Sequence, residues 1–376
     1  MPGVFLSGRQ KTITVGIPCV EKVNGVSRAW ADVDGKPLWF QSADIELAAS
    51  PEAFASAMLF SSVHRRRTLV SEGPLSEVWL DGVDQIMSAW KEWWGYIPRP
   101  PVAARIPDSG RTNPQSALMF SAGVDSYHSL LGGSNPDMLV SVHGFDIPLD
   151  DLQRMDGLTR AVHETAEAHG IRPVVIRTNL REHPSVGKPN LWERSHGGGL
   201  AAIGHLLTGQ IGRLIVSASW YLPDEQPWGS HTRTDPLFSA NGVVVDHFGA
   251  DTTREEKVAA LAADKTALRH VRVCYKNVDD SRNCSRCEKC VVTMMHLMEN
   301  GVLGECDSFD GRDLAGRVSA LPFIHYYYNI SSRILSRGKI EPGVERALAK
   351  VLGRSRRAHA LLKIRSKIRQ AVGQYV

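Results

Sequence analysis

The pattern of apolar and polar positions along this chain changes character near residue 115. Before that point, ITVGIP (13 to 18) and KPLWF (36 to 40) read as strands. SPEAFASAMLFSSVH (50 to 64) opens with Ser then Pro, a helix-start signal, and its apolar residues recur at helical spacing. LSEVWLDGVDQIMSAWKEWWG (75 to 95) repeats that spacing and closes at Gly95. Together they predict an accessory α+β domain over 1 to 105. Its tryptophans, Trp30, Trp39, Trp79, Trp90, Trp93 and Trp94, read as core packing, with a wall for an aromatic or nucleobase-like ligand as the alternative. The proline-rich stretch from 97 to 115 has no period and reads as a linker.

Beyond it, SALMF, DMLVSVH, RPVVIRT and RLIVSAS are short runs rich in apolar residues. LDDLQRMDGLTRAVHETAEAHG and GGGLAAIGHLLTGQIG lie between them and read as helices. Short buried strands alternating with helices predict a parallel sheet covered on both faces, so the expected class is α/β over 115 to 270. A cysteine-rich element follows at 271 to 310, and a helical, basic segment at 311 to 376.

Composition changes this picture in two places. The formal charge of +4 is uneven. Residues 331 to 376 carry twelve Lys or Arg against two Glu, hence +10, which leaves −6 for the rest. That tail, with its amphipathic AHALLKIRSKIRQAV, suits nucleic acid, an acidic carrier protein or a membrane surface; the plainer reading is a packed terminal helix with a solvated basic face. No apolar run approaches the ~18 residues of a membrane span, and no secretory signal is read at the start, so the expected compartment is the cytoplasm. The cysteines are also uneven: Cys19 and Cys306 stand alone, while Cys274, Cys284, Cys287 and Cys290 fall within seventeen residues. In a reducing compartment that clustering points to a metal. Four converging thiolates suit a closed, structural Zn²⁺ site; an iron–sulfur cluster or sulfur carriage by a reactive cysteine are the alternatives.

The strongest local motif is MFSAGVDSYHS, 119 to 129, which reads as strand, tight turn, helix. In parallel sheets ligands bind at the carboxyl ends of strands. Small residues let the backbone amides of Ser121, Ala122, Gly123, Val124, Asp125 and Ser126 approach an anion, the helix adds its positive end, and the two serines add hydroxyls. Asp125 fits such a cradle if Mg²⁺ bridges it to phosphate. The plainer reading is a turn whose Asp and Ser cap a helix. HGGGLAAIG (196 to 204) mimics a dinucleotide fingerprint, but no strand precedes it and no acid occurs between Gly197 and Asp224. Its glycines serve either close helix packing or the approach of a helix start to a ligand.

SAGVDS resembles the Ser-Gly-Gly-x-Asp-Ser loop of the N-type ATP pyrophosphatases, with Ala122 where that family has its first Gly. The Cys-Tyr pair at 274–275 followed by Cys284, Cys287 and Cys290 narrows the resemblance to the 7-cyano-7-deazaguanine synthase family, over about 115 to 300. The resemblance implies a HUP-like (adenine nucleotide alpha hydrolase) sheet, ATP, Mg²⁺ and Zn²⁺ as cofactors, and adenylation of a carboxylate followed by carbon–nitrogen bond formation. The partners are then a small-molecule carboxylic acid and a nitrogen donor. A sulfur-inserting relative or a non-catalytic nucleotide-dependent binding protein are the alternatives, and a homodimer is left open. SASWYLPDEQPWGSHTRTDPLFS (217 to 239) stands where that family has its substrate loop, but lacks its nucleobase-reading sequence. His231, Arg233 and Asp235 alternate there; in an extended segment they would share a face, His231 managing protons and Arg233 binding a carboxylate. Lys257 is the candidate for neutralising phosphate charge, or else an exposed helix lysine.

Overall fold

The structure is a computed structural model. It describes residues 11–110, 112–186, 191–277 and 282–373, with side chains as far as 358. The side chains of most of the AHALLKIRSKIRQAV stretch therefore lie outside the described residues, as does the start of the chain.

Among the described residues twelve strands are formed: β1 (Thr12–Val15), β2 (Cys19–Val23), β3 (Val26–Val33), β4 (Lys36–Ser42), β5 (Thr68–Ser71), β6 (Leu75–Ser76), β7 (Arg105–Ile106), β8 (Ser116–Met119), β9 (Met138–His143), β10 (Arg172–Thr178), β11 (Arg213–Ser217) and β12 (Val244–Phe248). Ten of them make one sheet in the order β12-β11-β8-β9-β10-β4-β3-β1-β5, with β2 beside β3. The chain is α/β, and the run β12 to β10 is parallel throughout. Burial follows from this. β8 and β9 are buried at every position, as expected where helices cover both faces. β3 alternates and β2 is exposed along its length.

The strands of the first hundred residues continue that same sheet, through an antiparallel seam between β10 and β4. Only Arg177↔Gln41 and Thr178↔Phe40 pair there. Side chains complete it: Ser42 Oγ donates to Val175 O at 2.8 Å, Val175 N to Asp44 Oδ2 at 2.8 Å, and Thr178 Oγ1 to Trp39 O at 2.7 Å. Asn179 accepts from Trp39 N and donates to Pro37 O, both at 2.9 Å. One apolar core runs from Ile13 to Val245.

Two helices anchor that core, α1 (Pro51–His64) and α2 (Glu77–Trp94). α1 is buried on nearly every side, so it has no polar face. Trp79 and Trp90 pack inside, Trp79 Nε1 bonding Ser56 Oγ at 2.9 Å, while Trp93 and Trp94 sit half-buried at the rim. Three further helices follow: α3 (Val124–Leu131), α4 (Leu152–His169) and α5 (Trp192–Leu206). The glycine run lies inside α5, not at its start. A Cβ on Gly197 would come 2.1 Å from Gly229 O, and one on Gly198 2.4 Å from Ser56 O, so the glycines are there for close packing.

A second compact unit comprises Ala122–His128 and everything from Thr253 onward. It holds α6 (Arg254–Ala262), α7 (Lys265–His270), α8 (Glu288–Glu299), α9 (Leu314–Ala320), α10 (Tyr328–Arg337) and α11 (Pro342–Gly373). Val258, Leu261, Val291, Met294, Met295 and Leu297 are buried in it. No helix among the described residues is long and apolar enough to cross a membrane.

Candidate functional site

The loop after β8 enters α3 through a strained residue. Ala122 has φ +54°, the left-handed region that glycine occupies freely and alanine at a cost of roughly 1–2 kcal/mol. Alanine therefore holds a conformation that glycine would adopt without strain. The Gly123 carbonyl accepts from Tyr127 N at 3.0 Å and from Ser126 Oγ at 3.1 Å. The hydroxyl proton of Ser126 is thus used within the turn, while Ser121 is exposed. The first amides of α3 have no intrahelical acceptor and form the donor end of the helix.

Asp125 stands in the first turn of α3 with its side chain 19% exposed. Arg254 Nη1 lies 3.1 Å from each of its carboxylate oxygens, and Lys257 Nζ lies 3.5 Å from Oδ1. Burial pushes the Asp125 carboxyl upward, but the charges of Arg254, Lys257 and Lys289 outweigh it and hold it below the ordinary carboxylate range. Both α6 cations are buried, Arg254 at 8% and Lys257 at 2% exposed, so Lys257 is no surface lysine. A capping box starts α6: Thr253 Oγ1 accepts from Glu256 N at 3.3 Å, and Thr253 N donates to Glu256 Oε2 at 2.8 Å. It fixes Arg254 and Lys257 three residues apart on one face. Arg254 Nε and Nη2 are buried with no hydrogen-bond partner among the described residues. Unmet buried donors on a charged group are costly, and phosphate oxygens would satisfy them.

The Sγ atoms of Cys274, Cys284, Cys287 and Cys290 all lie within 4.8 Å of one another and make no disulfide. A tetrahedral ion with Zn–S bonds of about 2.3 Å would hold them about 3.8 Å apart. A cluster of several irons would spread them more widely. The set fits a single metal ion such as zinc. Cys287 N donates to Cys284 Sγ at 3.3 Å, across a turn in which Ser285 takes φ +53°. Cys290 falls in the first turn of α8. Hydrogen bonds from Cys287 and Cys290 hold the Cys274 thiol far below its ordinary range, while its neighbours Cys287 and Cys290 are pushed up, so the negative charge settles on Cys274. Asn283 is the staple: its Oδ1 accepts from Val273 N (2.8 Å) and Cys274 N (3.1 Å), and its Nδ2 donates to Val271 O (2.8 Å) and Ser308 O (3.1 Å). Cys19 and Cys306 stand outside the cluster, and His296 packs against Glu299 at 2.9 Å.

The 217–239 segment belongs to the sheet unit. It is not extended at 231–238: residues 232–234 form a turn, and Asp235–Phe238 a short 3-10 helix. The three alternating residues therefore part company. Asp235 turns inward, 1% exposed, and accepts from Ser230 Oγ (2.5 Å), His231 N (3.1 Å) and His247 Nδ1 (2.7 Å). His231 lies on Trp93 with ring centroids 4.5 Å apart and 3.5 Å from Glu225; burial above all holds its imidazole below the ordinary range. Arg233 remains 48% exposed, paired with Glu92 at 2.7 Å and over the Trp93 ring.

Arg254, Lys289, Asn283 and His247 were not singled out from sequence. Arg254 had a signal, since the Thr-x-x-Glu capping box places it on the face of Lys257. His247 had none, because only tertiary folding brings β12 to Asp235. No family model matches this chain, and no curated protein matches it. A solved structure described as "Structure of a Type III CRISPR defence DNA nuclease activated by cyclic oligoadenylate" aligns at 10% identity with a TM-score of 0.22, covering 84% of this chain. This chain spans 57% of that one, and a likeness at this level carries no argument about function.

Proposed function

We propose that this chain is an ATP-dependent carbon–nitrogen ligase of the ATP pyrophosphatase type. What supports the reading is the cation pair on α6 converging on Asp125, with two buried Arg254 donors left unpartnered. A phosphate chain fits that donor set. In the reaction, a substrate carboxylate oxygen attacks the α-phosphorus of ATP. The bond from the α-phosphorus to the bridging oxygen breaks, and pyrophosphate leaves with the electron pair. Arg254, Lys257 and the loop amides neutralise the charge that builds on it. Ammonia or an amine then attacks the acyl-adenylate; a C–N bond forms, AMP departs and the nitrogen gives up a proton. One carboxylate suits Mg²⁺, which takes most of its ligands from water and phosphate and would screen charge at Asp125. The four cysteines would hold zinc as a structural ion.

The experiment is pyrophosphate release with a panel of carboxylic acids and amines. Asp125→Ala is expected to lose on the order of a hundredfold or more. Release unaffected by that change would end the assignment. Stoichiometric zinc is expected in the purified protein; iron and a brown colour would favour sulfur transfer instead.

A further inference from the structure

The segment that carries the cysteines also touches the loop. Arg272, two residues before Cys274, donates its backbone N–H to the Ala122 carbonyl at 2.8 Å. The next two amides are held by Asn283, the residue before Cys284. Residues 271 to 274 are thus tied to the loop at one end and to the thiol cluster at the other. Lys289 lies between Cys287 and Cys290 in the first turn of α8, half-buried, and α8 packs against α6, which bears Arg254 and Lys257. Its ammonium bears on the Asp125 carboxylate together with those two.

We propose that Lys289 is a third anion-binding cation of the 121–126 loop, and that metal held by the four cysteines positions it. The proposal rests on the reading that this loop binds pyrophosphate. A metal ion bound by Cys287 and Cys290 fixes the first turn of α8, and with it the origin of the Lys289 side chain. The same ion, through Cys274, fixes the amide that holds the Ala122 carbonyl. Metal binding energy is thereby spent on ordering the anion site as well as the knuckle. The residue differs from Arg254 and Lys257 in that its position depends on the thiol cluster.

The test uses the full chain, with zinc content measured beside calorimetric titration of inorganic pyrophosphate in the presence of Mg²⁺. Lys289→Gln is expected to keep one zinc per chain and to weaken pyrophosphate binding about tenfold or more, with Lys289→Arg recovering most of the loss. Chelator-treated protein that keeps its circular dichroism is expected to lose at least as much affinity, and to regain it when zinc is restored. Lys289→Gln that binds pyrophosphate like the wild type overturns the proposal. So does Lys289→Gln that loses zinc, since the lysine would then serve the thiolates. Folded zinc-free protein with unchanged affinity removes the metal from the argument and overturns it too. If stripping unfolds the chain, the Lys289 variants decide alone. Wild type that binds no pyrophosphate brings down the loop reading itself, a result distinct from all of these.

Discussion

Asp125 and Asp235 are both withdrawn from solvent, and their surroundings differ in kind. Asp235 receives a hydroxyl, a backbone amide and an imidazole, each within 3.1 Å. All three donors are satisfied, and the carboxylate is the knot that ties residues 230 to 235 to β12. Asp125 meets two buried cations, and one of them has two further donors with no protein partner among the described residues. A satisfied buried polar group holds structure; a surplus of buried donors marks where a ligand completes the set. This contrast is why we propose the α6–α3 cluster as the ligand site and treat Asp235 as an anchor.

Four measurements break or sharpen that contrast, beside the Asp125→Ala assay. The largest stability effect is expected at the anchor. Asp235→Ala leaves three donors unmet and should cost on the order of 3 kcal/mol, read from denaturant midpoints. A variant as stable as wild type but raised in KM would make Asp235 a substrate ligand after all. Arg254→Met should weaken pyrophosphate binding on the order of tenfold, because it removes a buried guanidinium that has donors to spare. Unchanged binding would show that its free donors face no ligand.

Acid probes the Asp125 cluster directly. The folded pKa of Asp125 is lowered, so its charge adds stability above the ordinary value of about 3.9, and that stability is lost as pH falls through the lower folded value. Asp125→Asn should therefore flatten the acid limb of the stability–pH curve; identical limbs would remove the ion cluster from the argument. The smallest effect is at Ala122. Ala122→Gly relieves a left-handed alanine and should raise stability by about 1 kcal/mol, with pyrophosphate binding retained. A loss of stability there would mean the methyl group packs better than its backbone costs.

Much of this was legible in order along the chain. Thr253, Glu256 and Lys257 lie on one short helix whose capping box is written locally, and the four cysteines declare themselves by spacing. The seam between β4 and β10 was not legible. It joins residues some 140 positions apart through two backbone pairs and five side-chain bonds, and neither strand's pattern names its neighbour. The 231–235 segment departs from its alternating pattern for a related reason. Alternation suggests an extended strand, but Asp235 gains more from Ser230, His231 N and His247 than an exposed strand would offer it.

Sequence alone determined the α/β class, the loop at 121–126, the cysteine knuckle and the helix that carries Lys257, because each depends on periodicity, capping or spacing within a few turns of chain. Only the tertiary structure decided that the first hundred residues extend the same sheet, that Arg254 joins Lys257 at Asp125 with donors to spare, that Asp235 faces inward, and that the amide before Val273 holds the loop carbonyl. Those depend on which buried polar groups find partners, and such pairing is settled between segments distant in sequence, where the energy of one unmet donor outweighs any local preference.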